Sequence, residues 1–249
     1  WKREMLCEWT EDLNVWLPTS LITLAQDSGL NYLDGTTPLK GEFYIGVDFG
    51  KHADYSVVAV IEKLRGHLYL RHCWQAPLET SYGAVIGYIK RLQDNWTGVR
   101  AVYADKTGVG EYIVEDMERG GIRYLTGINF TVDSKEGMAT ALKEQMRRAV
   151  CPKCGWEGYV DAIEGDWRTA CPHGCESEEG NPVKLRPRLH IPYDPDLYHE
   201  LNNERYELGK TGKVLFNHPE GTHDDRFWAL ALAVSAAEQE RTATLIRIR

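Results

Sequence analysis

The sequence predicts an α/β fold on a mixed sheet, in which an antiparallel three-strand meander adjoins parallel strands and helices cover both faces. Three apolar segments at 42–49, 55–63 and 67–75 are separated only by short turns, which predicts the meander. Strand-like and helix-like segments then alternate, which predicts right-handed crossovers and a parallel part of the sheet. The chain of 249 residues is long enough for one such core with an insert.

Hydrophobic periodicity gives the remaining elements in chain order. Apolar residues at helical spacing predict a sheet-covering helix over 81–96, and the run VRAVYAD at 99–105 predicts a buried strand. The elements predicted after it are a helix at 110–121, a strand at 122–129, a helix at 134–150, a strand at 189–192, a helix at 195–208, a strand at 214–217 and a closing helix from near residue 223. The expected parts of the chain are an N-terminal segment and linker at 1–40, the main domain at 41–240 with a cysteine-rich insert at 150–188, and a tail at 241–249.

Composition and charge exclude some classes of protein. No stretch has the roughly 18 consecutive apolar residues of a membrane-spanning helix, and the N-terminus lacks the pattern of a secretory signal. We therefore expect a soluble, intracellular protein, and because the chain begins at Trp1 we expect a piece of a longer one. The formal net charge of −8 argues against a general polyanion-binding surface, although cations gathered at a carboxylate site reverse the charge locally.

Two aspartates end predicted buried strands. Asp48 follows the apolar run of the first strand and Asp105 ends VRAVYAD, and a turn comes after each of them. Taken alone, an aspartate at such a place is as often a turn residue as a functional one. The first meander strand and the first crossover strand are expected to lie side by side and parallel, so their carboxyl ends coincide. Asp48 and Asp105 are therefore predicted to face one cleft.

The third group of acidic residues lies at the start of the closing helix. Asp224 and Asp225 stand at its start, and the alanines in HDDRFWALALAVSAA permit close packing on a sheet. An aspartate there can simply cap free N–H groups, which contributes about 1 kcal/mol. A single cap needs one aspartate, however, whereas here two adjacent ones follow a histidine. Beside Asp48 and Asp105, the pair is predicted to supply the third metal ligand.

This carboxylate set suits a pair of hard cations. Two Mg²⁺ or Mn²⁺ ions about 4 Å apart can activate a water and stabilise both oxygens of a phosphodiester displacement. Both ions prefer carboxylate oxygens. We predict that Asp48 bridges two ions and that Asp105 and Asp225 each hold one. Asp224 is left open as a ligand, a supporting group or the helix cap.

The cysteines indicate a second metal site. Four of the six fall in two close pairs, Cys151 with Cys154 and Cys171 with Cys175. In an intracellular chain this spacing favours a metal over disulfides, and it is typical of a zinc ribbon. We predict a structural zinc ion, which stabilises a segment too short for its own core. Reduced surface thiols are the alternative, with His173 as a possible substitute ligand, and we expect Cys7 and Cys73 to be packed or unreactive.

Three segments together resemble the nuclease domain of the large terminase subunit of tailed phages and related viruses. They are the strand ending VDFGKHAD, the strand ending VYADKTGVG and the segment VLFNHPEGTHDDRFWALALA. The resemblance covers roughly residues 42–237, and HDD at the head of an alanine-rich helix is its most specific part. The leading segment WKREMLCEWTEDLNVWLPTSLI is similar to the end of the motor domain that precedes this nuclease. The cysteine-rich insert departs from the resemblance, which leaves the layout of 150–188 open.

This resemblance implies a ribonuclease H-like fold and an endonuclease that cuts concatemeric double-stranded DNA during genome packaging in the host cytoplasm. It implies the small terminase subunit and the portal as partners. Its metal-binding acids correspond to Asp48, Asp105 and Asp225, with Asp224 beside them. Lys135 resembles a lysine that, in this family, often lies at the start of the helix after the third crossover strand.

Further basic residues are candidate DNA contacts. The run GKTGK at 209–213 resembles a phosphate-binding loop, but the first glycine of that pattern would fall at Glu204 and a strand follows instead of a helix. It therefore predicts a hairpin turn, whose Lys210 and Lys213 can contact the DNA backbone. The flank of the insert offers Lys184, Arg186 and Arg188 for the same role, although a basic cluster is more often a solvated face.

Other functions fit parts of the pattern. An actin-like ATPase shares the meander and an acidic first strand end, but its duplicated core and second glycine-rich loop are not evident in the sequence. A resolvase- or transposase-type nuclease of the same fold would use the same acids and metals, so only substrate tests separate it. In a non-catalytic zinc-containing DNA-binding or assembly module the acids would be structural, and divalent-ion affinity would not depend on Asp105 or Asp225.

Overall fold

A computed structural model describes residues 14–50, 54–107, 110, 112–160 and 170–247, with side chains as far as residue 239. Residues 1–13, which include Cys7, and residues 161–169 in the insert lie outside the described residues, as does the end of the predicted tail. No helix in the described part of the chain is long and apolar enough to cross a membrane.

The strands and helices of the described residues follow the predicted order. The strands are β1 (Leu39–Asp48), β2 (Val57–Leu64), β3 (His67–Gln75), β4 (Trp96–Asp105), β5 (Leu125–Ile128), β6 (Arg148–Val150), β7 (Glu157–Tyr159), β8 (Arg186–Pro187), β9 (Leu189–His190), β10 (Arg205–Leu208) and β11 (Val214–Asn217). The helices are α1 (Thr19–Ala25), α2 (Tyr82–Asn95), α3 (Tyr112–Arg119), α4 (Val132–Arg147), α5 (Pro195–Asn203) and α6 (Asp225–Arg247).

One mixed sheet organises the fold, with the strand order β5-β4-β1-β2-β3-β9. Strands β1, β2 and β3 form the antiparallel meander, whereas β4 runs parallel to β1 and β5 parallel to β4. Helix α2 packs Val85, Ile89 and Leu92 into the hydrophobic cluster on one face of the sheet. Helices α4, α5 and α6 contribute to the cluster on the other face. The predicted mixed α/β fold with helices on both faces is confirmed.

Helix α6 packs on β1 with its backbone in contact with the strand. A Cβ atom added to Gly46 would lie 2.0 Å from the Ala229 carbonyl oxygen and 2.5 Å from the Ala233 amide nitrogen. Residues 227–237 are all buried, and the small residues among them permit this approach, as the sequence predicts. The backbone stays helical to Arg247, through most of the predicted tail.

Residues 14–38 pack against the main core. Leu17, Leu21 and Ile22 are buried in the same hydrophobic cluster as α4, α5 and α6, because α1 presents an apolar face to them. The segment then lies against β3, where the Leu33 N–H donates to the Arg71 carbonyl at 2.7 Å. The division of the chain at residue 40 stays a prediction, but the described part of the N-terminal segment shares the core of the main domain.

The helix predicted over 195–208 ends early. Helix α5 ends at Asn203, and Arg205–Leu208 pairs as β10 with β11 in an antiparallel two-stranded sheet. The Gly209 N–H donates to the Lys213 carbonyl at 2.8 Å and closes the turn between the two strands. The run GKTGK is therefore the predicted hairpin turn, and pairing with β11 is what ends the helix at this point.

We predict that Gly46→Ala destabilises the fold by about 3 kcal/mol, because the added methyl group overlaps backbone atoms of α6. Urea denaturation of the purified chain measures the change in the free energy of unfolding. Gly137→Ala in α4 is the matched control, since a Cβ atom there meets nothing within 4 Å and alanine favours a helix. A Gly46→Ala variant as stable as this control would contradict the close contact.

Candidate metal centres

Strands β1 and β4 bring two acids to the same end of the sheet. Their parallel register pairs Val47 with Ala104, and the next residue of each strand is an aspartate, Asp48 or Asp105. Both side chains are buried, since Asp48 is 9% and Asp105 6% exposed. The Asp105 carboxylate accepts a hydrogen bond from the Thr107 N–H at 2.8 Å, which closes the turn after the strand. The predicted side-by-side placement of the two aspartates is confirmed.

Helix α6 contributes two more acids. Asp225, its first residue, is buried, and the backbone N–H of Tyr55 acts to lower the pKa of its carboxyl. The Nδ1 atom of His223 lies 3.7 Å from an Asp225 oxygen. Asp224 precedes the helix, and its carboxylate accepts a hydrogen bond of 2.7 Å from the Nε1–H of Trp228. Asp224 therefore bonds a side chain one turn along α6.

The four aspartates interact electrostatically, and we call them the acid cluster (Asp48, Asp105, Asp224 and Asp225). Burial raises the pKa of Asp48 well above its usual range, and the charges of the other three aspartates raise it further. Burial, followed by the charges of Asp224 and Glu200, raises the pKa of Asp225 to about 7. Repelling carboxylates favour the binding of a cation, and their oxygen donors fit Mg²⁺ or Mn²⁺.

A lysine places positive charge at the acid cluster. The Lys135 ammonium lies 4.2 Å from the centroid of the Trp228 ring and 5.3 Å from that of Phe130. Its charge lowers the pKa of Asp48. Cation–π contacts of this kind hold an ammonium in place. The lysine that the family resemblance indicated therefore lies at the acid cluster.

Glu200 secures the start of α6, and sequence reasoning missed it. Its carboxylate accepts a hydrogen bond of 2.6 Å from the Arg226 N–H and forms an ion pair with the Arg226 guanidinium. Glu200 therefore caps α6 from another helix and fixes the backbone next to Asp225. The sequence does contain a signal for this role, because Glu200 falls on the apolar face of α5 with Leu197 and Leu201. A charged side chain on such a face needs a partner.

The sulfur atoms of the two cysteine pairs lie close together. The Sγ atoms all lie within 4.8 Å of one another, and they belong to Cys151, Cys154, Cys171 and Cys175. Strands β7, β6 and β8 form a three-stranded sheet beside them, and Ala149, Val160 and Leu185 add a small hydrophobic cluster. The Nδ1 atom of His173 lies 3.6 Å from the Cys154 sulfur. Four sulfurs at this spacing fit one tetrahedral zinc ion.

The acid cluster differs from the cysteine site in how closely its donor atoms approach. Within the described part of the chain, the four sulfurs are the one group of three or more possible ligand atoms that all lie within 4.8 Å of one another. The carboxylate oxygens of the acid cluster are spread more widely. The acid cluster is therefore a looser arrangement of possible ligand atoms than the sulfur site.

Four of the predicted DNA contacts outside α4 lie on the surface. Lys210 and Lys213 are exposed in the hairpin turn, where the Lys213 ammonium pairs with Asp133 at 2.6 Å. Arg186 is exposed in β8, with Lys184 two residues before it. These side chains are accessible to a phosphate.

Arg188 was predicted to contact DNA, but its side chain is buried. Its side chain is 2% exposed, and its Nε–H donates to the Gly66 carbonyl at 2.7 Å. Its Nη2 atom lies 3.2 Å from a Glu238 oxygen. The guanidinium is therefore enclosed by the fold and offers no surface to DNA, because its partners come from a distant turn and from α6.

Comparison with known proteins finds large terminase subunits among the proteins similar to this chain. No family model matches it. The large terminase subunits of Thermus phage G20c and Thermus virus P23-45 are each 24% identical to it over 196 residues. The matched region is 79% of this chain and 32% of each relative, so the chain spans about a third of their length.

Solved structures share the fold. The large terminase nuclease of phage G20c aligns with a TM-score of 0.62 and 23% identity, over 90% of this chain and 98% of that one. The large terminase of bacteriophage HK97 aligns with a TM-score of 0.55 and 12% identity, over 89% of this chain and 43% of that one. The resemblance to large terminase nuclease domains, and with it the ribonuclease H-like fold, is confirmed.

We predict that Asp225→Asn stabilises the metal-free fold at neutral pH by about 2 kcal/mol. The carboxyl has a pKa near 3.8 when unfolded and about 7 when folded, so the folded state binds more protons between these values. The stability of the unsubstituted chain should therefore fall as the pH rises from 3.8 to about 7, and the variant should lose less of it. Urea denaturation in EDTA across this window measures both trends.

The matched control for this prediction is Asp94→Asn, whose carboxylate pairs with Lys90 on the exposed side of α2. It should leave the dependence of stability on pH nearly unchanged. If Asp225→Asn were destabilising at neutral pH, the acids would not repel one another in the metal-free fold.

Proposed function

We propose that this chain, which shares the fold of the large terminase nuclease domains, is a divalent-metal-dependent endonuclease that cleaves double-stranded DNA. The acid cluster is the observation that carries the proposal, because four carboxylates from two strands and the start of a helix repel one another at one end of the sheet. Phosphodiester hydrolysis is the chemistry that such a carboxylate set supports when it holds Mg²⁺ or Mn²⁺.

Ligand roles follow from position within the cluster. Asp48 would bridge two ions, since its carboxyl responds to the charges of all three other aspartates. Asp105 and Asp225 would each hold one ion. Asp224, whose carboxylate bonds Trp228, would support the ion at Asp225. The bound ions would supply Lewis-acid stabilisation of the phosphate and lower the pKa of a water.

Neighbouring residues orient these ligands and the substrate. The pairing of Glu200 with Arg226 fixes the start of α6 next to Asp225. Lys135 stands at the cluster with its ammonium over Trp228, where it can meet a phosphate oxygen. The helix start that carries Asp225 is thereby fixed by contacts that do not depend on the ion.

The relatives extend the proposal to genome packaging. The G20c nuclease has been solved with bound magnesium, cobalt and zinc. By analogy we propose concatemeric viral DNA in the host cytoplasm as the substrate. The small terminase subunit and the portal would be partners of the longer protein to which this chain corresponds.

DNA would be held through phosphate contacts from Lys135, Lys210, Lys213 and Arg186. The last three side chains are exposed, and those of the hairpin turn project from a two-stranded sheet. The formal net charge of −8 keeps intrinsic DNA affinity low, so the remainder of the longer protein would hold the DNA in place.

Plasmid cleavage by the purified chain tests the proposal. We predict linearisation of supercoiled DNA in Mn²⁺ or Mg²⁺ and none in EDTA or Ca²⁺, because catalysis needs ions that bind carboxylates and activate water. Asp48→Asn removes the bridging charge and should lower the rate at least about 100-fold.

Asp94→Asn, which lies on α2, is the control and should cleave at the rate of the unsubstituted chain. If cleavage is seen equally in Asp48→Asn, the activity does not come from the acid cluster. If the chain neither cleaves nor binds Mn²⁺, a non-catalytic DNA-binding or assembly module replaces the endonuclease as its function.

We also propose that the four paired cysteines hold a structural zinc ion. Sulfur donors select zinc over Mg²⁺, and four of them close its coordination shell, which leaves no position for a substrate. The site would therefore stabilise the insert at 150–188 and take no part in hydrolysis.

We predict that Cys171→Ser lowers bound zinc from about one ion per chain to near none and lowers the melting temperature of the insert. Mass spectrometry of metal content and thermal denaturation measure the two effects. Cys73→Ala is the control, because this half-buried thiol lies outside the four-sulfur group and should leave zinc content unchanged. Full zinc content in Cys171→Ser would contradict the assignment.

A further inference from the structure

A cavity of about 310 Å³ lies beside Asp225. Its walls come from α5, from the end of β3, from the segment before β2 and from the turn before α6. His223 of this turn lines the cavity, and its Nδ1 atom lies 3.7 Å from an Asp225 oxygen. Pockets for small ligands measure about 300–1,000 Å³. The cavity therefore has room for one small ring system, but not for a length of duplex.

The register of the sheet gives the separation between this cavity and the acid cluster. Asp48 pairs with Val57 of β2, and Val57 pairs with Gln75, which lines the cavity at the end of β3. Neighbouring strands lie about 4.8 Å apart, so Gln75 is roughly 10 Å from Asp48 along the same end of the sheet. Each strand of duplex DNA carries one phosphate per about 3.4 Å, so a strand that is cut at the acid cluster passes the cavity within about three nucleotides.

The charges on the cavity walls favour a neutral ligand. Among the residues that line it, Arg226 is the one arginine or lysine, and its guanidinium pairs with both Glu200 and Asp196. These lining side chains therefore carry two carboxylates and one guanidinium. The excess negative charge repels a phosphate group, whereas an uncharged base meets no such repulsion.

Neutral polar groups and an aromatic ring complete the walls. Gln75 and Asn203 are half-buried, and within the described part of the chain no hydrogen bond engages either side-chain amide. An amide offers a donor and an acceptor side by side, which matches the edge of a nucleobase. The Tyr55 ring meets His223 edge-to-face, with the ring centroids 5.1 Å apart, and aromatic rings are common contacts for unstacked bases. The chemistry of the walls therefore fits a base.

We propose that this cavity, the base pocket (Tyr55, Gln75, His199, Asn203 and His223), holds one unstacked nucleobase of the DNA strand that is cut. This inference rests on the proposed function and names the part of the substrate that the site recognises beside the scissile phosphate. Taking a base out of the stack costs free energy, which hydrogen bonds to the two amides and contact with Tyr55 offset. The pocket thereby holds the strand in place next to Asp225 without binding a metal ion.

Titration of the chain in EDTA with single deoxynucleosides tests the pocket without any cleavage. The side-chain amide signals of Gln75 and Asn203 should shift saturably in NMR spectra as thymidine or deoxyadenosine is added. Deoxyribose 5-phosphate, which lacks a base, should leave the same signals in place. If the sugar phosphate shifts them as the nucleosides do, or if no compound shifts them, the base pocket is ruled out.

Gln75→Leu gives the second test, because leucine has a similar size and offers no hydrogen bond. It should weaken thymidine binding about fivefold and raise the KM of plasmid cleavage by a similar factor while kcat stays nearly unchanged. Asn181→Leu, at an exposed position of the insert, is the matched control and should change neither quantity. A folded Gln75→Leu variant that binds thymidine normally overturns the inference. If Gln75→Leu does not fold, Asn203→Ala is measured in the same way and judged by the same criterion.

The outcomes separate this inference from the proposed function. If the chain cleaves plasmid in Mn²⁺ but no nucleoside reaches Gln75 and Asn203, the endonuclease proposal stands and the base pocket does not. If thymidine binds there but the chain neither cleaves DNA nor binds Mn²⁺, the endonuclease proposal fails and the pocket has no part in cutting a strand. Thymidine binding together with a raised KM in Gln75→Leu supports both.

Discussion

Contact between the backbones of α6 and β1 fixes where the acidic side chains meet. Gly46 lies two residues before Asp48 and against Ala229, which comes one helical turn after Asp225. Any side chain at Gly46 would push the helix outward and draw Asp225 away from the end of the strand. The geometry of the acid cluster is therefore set by packing of backbone against backbone, since the acids themselves repel one another.

That packing also offsets the cost of holding the acids together. Eleven consecutive buried residues of α6, from 227 to 237, contribute apolar area at about 25 cal/mol per Å². The carboxylates are thus positioned before any ion arrives, and an ion that binds them adds its binding free energy to the stability of the fold. Under the proposed function, a cluster assembled this way gives up stability in the metal-free fold and gains affinity for a metal ion.

Sequence reasoning predicted that Asp48 and Asp105 lie close together, because the topology of the sheet alone makes the ends of their strands neighbours. An apolar run that stops at an acid is visible in the sequence, and the crossover rule places Asp105 beside Asp48. It did not reach Glu200, since an acid in a helical segment resembles a solvated residue unless the apolar face of the helix is mapped. It misplaced Arg188 for a related reason: its partner Glu238 is fifty residues away, and no local pattern indicates their pairing.

Arg188 also explains how the cysteine-rich insert joins the fold. Its N–H donates to the Arg148 carbonyl at 2.6 Å, so the two ends of the insert are clamped together where β6 begins and β8 has just ended. Its guanidinium pairs with Glu238 of α6, whose first residue, Asp225, is thirteen positions away, or about 20 Å along the helix. Residues 227–237 of the helix between them are all buried, so this stretch is held by the core. Arg188 therefore ties the insert to the helix that carries Asp225, at a point well separated from the acid cluster.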